Sequence, residues 1–112
     1  RDVPFGFDTD VNAPAYAEYE YAKRSGKMLS SCAYITVGTG IGVGLVVNDL
    51  PVHGLMHPEG GHICVPQHPN DAAMKFQGSN PLDCFGGLCA ENLSCSVALA
   101  KRAGLPSTDG LR

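Results

Sequence analysis

The stretch CAYITVGTGIGVGLVVNDLPV, residues 32–52, is β-branched and apolar on both sides of a glycine cluster, with an Asn-Asp pair at 48 and 49. Such side chains favour pleated backbone, and Asn-Asp is a turn signal. The stretch therefore reads as two or three adjoining strands with a buried ladder, turned at Asn48-Asp49. Glycines at 38, 40, 42 and 44 surround Thr39. They admit two roles: close packing within a hairpin, or a loop that brings backbone N–H groups up to an anion such as a nucleotide phosphate. Their spacing is neither the dinucleotide fingerprint nor the Walker loop, whose Lys-Ser/Thr pair is absent.

Before the strands, NAPAYAEYEYAKR (residues 12–24) carries Ala, Glu and Tyr, with Lys23 and Arg24 in its last turn and Gly26 just beyond. This predicts a helix with a C-terminal stop, and Asp10 and Asn12 stand at its start, where N-cap residue types belong. Asp10, in FDTDVNA after the strand-like VPFGF, also suits a general base for a substrate hydroxyl, and Asp8 competes for either role. After the strands, residues 53–88 are rich in His, Pro, Gly and Asn, with only HICV looking like a strand. A long functional loop is expected there, and something must pin it. From Cys89 to Ala103, Leu93, Val97 and Ala100 recur at helical spacing, and Lys101, Arg102, Gly104 and Pro106 mark the end. The predicted order is helix, β-sheet, long loop, helix.

With 112 residues and 44% apolar composition, the chain supports one small core, either one domain or a piece of one. It opens without a methionine, which reads as an excised fragment. A net charge of −3 and eight dispersed Lys and Arg give no field for nucleic acid or an acidic membrane surface. No window approaches the roughly 20 apolar residues of a membrane span, and the first residues lack the apolar core of a signal peptide, so a soluble, cytoplasmic protein is expected. The five cysteines, at 32, 64, 84, 89 and 95, are odd in number and irregular in spacing, which favours reduced thiols or a metal site over a disulfide scaffold.

HPEGGH, residues 57–62, sets a carboxylate between two imidazoles and two glycines before the second. A metal site, a sugar site and a tight polar turn all fit. Gly60 and Gly61 leave the backbone free to aim Glu59 and His62 into one cavity, where a carboxylate and an imidazole would grip vicinal sugar hydroxyls. Cys84 and Cys89, separated by FGGL, form a knuckle that with His62 offers zinc three ligands; otherwise they are two thiols near a glycine turn. His53, His57 and His68 read as loop histidines making local hydrogen bonds, and Cys32, Cys64 and Cys95 as buried small apolar residues.

Taken in order, FDTDVNA, TVGTGIGVGLVVND, HGLMHPEGGHICV, HPND and CFGGLCAENL resemble the ROK family of sugar kinases, and HPEGGH looks most like its fructokinase branch. The resemblance covers residues 3 to about 103 and implies an α/β chain with part of the actin-like ATPase (ribonuclease H-like) fold. Residues 1–28 would be the end of the small domain, and residues 29–112 part of the core of the large one. It implies ATP-dependent phosphorylation of a hexose, fructose to fructose 6-phosphate, with ATP and Mg²⁺. Asp10 would be the base; Glu59, His62, Glu91 and Asn12 would hold the sugar; Gly38, Thr39 and Gly40 would lie at the phosphates. In the family the histidine also reaches a structural zinc, for which His62, Cys84 and Cys89 occupy ligand positions. The family's usual third cysteine falls here at Leu82, its alternative Cys-Pro-x-His is matched only by Asn80-Pro81-Leu82-Asp83, and Asp83 offers an oxygen. Residue 9 is Thr where many members have Asn. The family's Asp-x-Gly-Gly-Thr phosphate loop and adenosine pocket have no counterpart, so the isolated chain is expected to be inactive. Family kinases are often homodimers. A second reading is a sugar-binding repressor relative, whose DNA-binding helix-turn-helix this chain lacks; a third is an inactive fragment.

Overall fold

A computed structural model describes residues 2–80, 82 and 87–111. The elements run α1 (Asn12–Arg24), β1 (Ser31–Val37), β2 (Ile41–Val47), β3 (Leu50–Pro51), α2 (Pro69–Ala73), α3 (Ala90–Ser94) and α4 (Ser96–Arg102), with 3-10 turns at Gly60–His62 and Thr108–Leu111. The chain divides into two units, one of Arg1–Ile35 and Val43–Pro58, the other of Thr36–Gly42 and Glu59–Arg112. Among the described residues, no helix is long and apolar enough to cross a membrane.

The strands form a sheet of order β1-β2-β3. Asn48 and Asp49 both take positive φ, 48° and 69°, as a type I′ hairpin turn requires. They set β3 antiparallel to β2, with Val46 opposite Pro51 and Val47 opposite Leu50. The ladder is less buried than its composition suggests. β1 alternates along its length, its exposed face carrying Ile35 and Val37, and full burial is confined to Gly44 and Val46 of β2. A strand covered on one side buries every second residue.

In the first unit, Ala15 and Tyr19 of α1 pack on Val46, with Cys32 and Tyr34 at the margin. The Tyr19 hydroxyl donates to the Leu29 carbonyl at 2.9 Å, satisfying the polar end of a buried ring. Neither Asp10 nor Asn12 caps α1. The residue before the helix is Val11, without a side-chain cap, and Thr9 Oγ1 accepts the Asn12 N–H at 2.9 Å. Asn12 is the helix's first residue. The C-terminal stop is as read: Gly26 turns left-handed at φ 80°, and the N–H groups of Gly26 and Lys27 close on the carbonyls of Lys23 and Ala22. Gly44 is indispensable to this packing, because a Cβ there would stand 2.0 Å from the Val11 carbonyl oxygen.

In the second unit, HICV is not a strand; among the described residues Cys64 makes only an isolated bridge to Cys89. The segment Cys89–Ala103 is not one helix either. Cys95 is extended (φ −68°, ψ 166°), and α3 and α4 meet at that break. The Ser96 N–H, which a continuous helix would send to the Asn92 carbonyl, donates instead to Gly38 O at 2.7 Å, while Asn92 O accepts from Ser79 N at 2.9 Å. Leu93, Cys95, Ala98 and Ala100 are buried there.

The buried Asn92 supplies much of what pins the long loop. Its amide nitrogen donates to the carbonyls of Asn80 and Gly87 at 2.8 and 2.9 Å, and its Oδ1 accepts from Ser79 Oγ and the Asn80 N–H. Arg102 adds a two-pronged bond to Asp71, at 3.0 and 2.7 Å, and its guanidinium lies over the Phe76 ring.

Candidate functional site

In the second unit, the glycine cluster ends in a loop whose shape is set by its own backbone. Gly38 N–H donates to Gly40 O at 2.8 Å, and Thr39 stands exposed between them. Immediately after it, the Ile41 N–H donates to Glu91 Oε2 at 2.8 Å. The other oxygen of that carboxylate lies 3.7 Å from His62 Nε2, and His62 Nδ1 lies 3.7 Å from Cys89 Sγ. The structure thus gathers four features predicted from three separate stretches: the glycine loop, His62, and Cys89 with Glu91. Glu91 sits in the first turn of α3, where Cys89 Sγ caps the helix by accepting the Asn92 N–H at 3.3 Å.

HPEGGH bends differently from the expectation. The left-handed residue is Glu59 itself, at φ 47°, rather than either glycine. Gly61 is needed for close approach: it is buried, and a Cβ would fall 2.0 Å from the Ile41 carbonyl oxygen. His62 is thereby held against the strand that bonds Glu91, whereas the Glu59 side chain is exposed; the two residues are linked through the His62 N–H, which donates to Glu59 O at 2.9 Å. Cys84 and Asp83 lie outside the described residues.

The first unit holds the other candidates. Asp10 is exposed at the turn into α1, and Asn12 is fully buried. Beside Asn12 is a group whose members the sequence reading kept apart, His53 and His57 as loop histidines and Asp8 as a rival of Asp10 for the cap or the base. His53 Nε2 lies 2.9 Å from Asp8 Oδ2 and 3.2 Å from Asn12 Nδ2, and the His57 ring stands edge-on to it at 5.8 Å. The hydrogen bond from His53 is the main cause that lowers the Asp8 carboxyl below its ordinary value, and the Thr9 N–H adds to it. Nothing local signals this cluster, since Asp8 and His53 are 45 residues apart.

Comparison with known proteins shows what the chain is similar to. The chain is 43% identical over 107 residues to a putative fructokinase of Bacillus subtilis (strain 168), covering 96% of this chain and 33% of that protein. It is 42% identical over 101 residues to a fructokinase of Zymomonas mobilis, covering 90% of this chain and 31% of that protein. A fructokinase of Streptococcus mutans is 40% identical over 103 residues, covering 92% of this chain and 33% of its own length. The chain thus spans about a third of the length of the curated relatives it matches. The ROK family model matches residues 1–109, nearly every residue that carries the geometry above, and the chain belongs to the ROK family.

Proposed function

We propose that this chain is the central part of a fructokinase, which transfers the γ-phosphate of ATP to fructose and yields fructose 6-phosphate. The observation that carries the reading is the convergence of His62, Glu91 and the glycine loop through the Glu91–Ile41 bond at 2.8 Å. Three relatives at 40–43% identity are named as fructokinases, one of them putative, which supports this choice of sugar and reaction. In this reading the fold is part of an actin-like ATPase, residues 1–28 closing the small domain and 29–112 entering the large one.

Glu59, His62 and Glu91 hold sugar hydroxyls, carboxylates accepting and imidazole donating or accepting. A buried acceptor left unpaired by the wrong epimer costs about 1–3 kcal/mol, enough to select among hexoses. Asp10 takes the proton of the attacking hydroxyl, and its exposure at the α1 turn leaves it accessible to a substrate. Thr39 and Gly40 face the phosphates, while Gly38 holds the loop shape through its bonds to Gly40 and Ser96. When bound, Mg²⁺ supplies charge neutralisation at the phosphates; the chain's own contribution is position and orientation.

The donor set also suits the family's zinc. Two ligands on tetrahedral zinc, one thiolate and one imidazole, stand about 3.6 Å apart by ordinary bond lengths. His62 Nδ1 and Cys89 Sγ are 3.7 Å apart, which supports them as two of its ligands, with Cys84 as a third. Zinc would order the loop and steady His62 beside Glu91.

The test is ATP-dependent phosphorylation by the full-length protein across fructose, glucose, mannose and N-acetylglucosamine. Fructose should give the highest kcat/KM, with phosphate on the 6-hydroxyl. Preference for another hexose would contradict the substrate assignment, and sugar binding without phosphorylation would contradict the kinase.

A further inference from the structure

Beside the start of α1, two neighbours make incompatible demands on one ring nitrogen. Asp8 Oδ2 and Asn12 Nδ2 approach His53 Nε2 at 2.9 and 3.2 Å. A carboxylate asks that nitrogen to donate, an amide nitrogen asks it to accept, and a neutral imidazole nitrogen does one or the other. Asn12 is fully buried, its amide directed at His53, and its Oδ1 has no hydrogen-bond partner among the described residues. His57 stands beside the pair, and Asp8, His53 and His57 each offer one donor atom within 4.8 Å of the others.

We propose that Asp8, His53 and His57 form a binding site for a divalent transition-metal cation, with Asn12 Oδ1 as a fourth donor once the amide is turned over. A cation removes the conflict at Nε2, because it takes the nitrogen lone pair and a carboxylate oxygen together. Turning the amide over brings Oδ1 to the cation in place of Nδ2, and O and N of an amide exchange places at no geometric cost. Two imidazoles with oxygen donors suit zinc, cobalt or manganese rather than calcium, whose sites are built from oxygen. His53 is 46% exposed on its side chain, so the cation has an entry path. The site fastens the loop after β3 to the turn that carries Asp10. It contains no sulfur and is made of different residues from His62, Cys84 and Cys89. It also stands independently of the kinase reading, since it rests on these four side chains.

The experiment is titration of the chelator-treated full-length protein with Co²⁺, followed by visible absorption, in the wild type and in a Cys89→Ser background that also carries Cys84→Ser, so that both thiolate ligands of the other site are removed. Expected is a visible cobalt spectrum that persists in this double variant without a sulfur-to-cobalt band in the near ultraviolet. His57→Ala and His53→Ala should each weaken that binding about tenfold or more. His57 is exposed, so His57→Gln, with folding checked by circular dichroism, keeps the test decisive if His53→Ala does not fold. The proposal is overturned if the double variant gives no visible cobalt spectrum, or if His57→Ala and His57→Gln leave the titration unchanged. The second result would mean that a proton on His53 and a turned Asn12 amide satisfy the cluster.

Discussion

Glu91 Oε2 accepts the backbone N–H of Ile41 at 2.8 Å, so the carboxylate that faces His62 is also the anchor of the strand leaving the glycine loop. In the proposed function, sugar-side and phosphate-side elements would share this one side chain. In Glu91→Ala both are lost, so the sugar KM should rise about tenfold or more. Stability should fall by about 1.5–3 kcal/mol, the worth of a hydrogen bond to a charged group. Glu91→Gln keeps an acceptor for Ile41 and should restore most of the stability but little of the KM. Steady-state kinetics and urea unfolding on both variants separate the two effects.

Gly44→Ala puts a methyl group where the Val11 carbonyl stands, 2.0 Å away. Backbone cannot yield as a flexible side chain does, so β2 must part from the start of α1. The expected cost is about 1–3 kcal/mol or more in chemical denaturation, from overpacking. Turnover should fall as well, because the same displacement moves Asp10; an unchanged unfolding midpoint would show that α1 does not rest on β2.

Asn92→Ala removes five side-chain bonds that hold Gln77, Ser79, Asn80 and Gly87. A loss of about 1–3 kcal/mol is expected for the buried partners left unpaired. Limited proteolysis should cut between residues 77 and 88 much faster than in the wild type, and Asn92→Asp, which cannot donate, should resemble the alanine variant.

Arg102 grips Asp71 with two bonds and holds its carboxyl below the ordinary 3.8, against an opposing push from burial. A carboxylate whose folded pKa is depressed stabilises the fold above the unfolded value, and that contribution is lost as pH falls through the folded value. Acid titration should therefore show a stability loss beginning below about pH 4. In Asp71→Asn, stability should be lower at neutral pH, and the gap to the wild type should close as the solution is acidified.

How much of this was legible depends on how local each cause is. The α1 boundaries and the Asn48-Asp49 turn are fixed by neighbours within a few residues, such as Gly26 at φ 80°, and could be read directly. The break at Cys95 could not, since it exists because Ser96 N–H goes to Gly38 O and Asn92 O goes to Ser79. HICV fails as a strand for a similar reason: among the described residues Cys64 finds only Cys89 to pair with. The approach of His62 to Glu91 was anticipated only through the order of motifs, as neither residue's surroundings in sequence require it. In HPEGGH the glycines drew attention, but the strained residue is Glu59, and Gly61 is there to admit the Ile41 carbonyl. The Asp8–His53–His57 group lay in plain view as three polar residues, and only the fold shows that they are neighbours.

The central claim is that this chain carries the catalytic base of a sugar kinase, and Asp10→Asn in the full-length protein tests it most directly. Fructose phosphorylation should fall about a hundredfold or more, as expected when a general base is removed, while fructose binding measured by calorimetry stays within a few fold. Near-normal turnover in Asp10→Asn would contradict the assignment of the base.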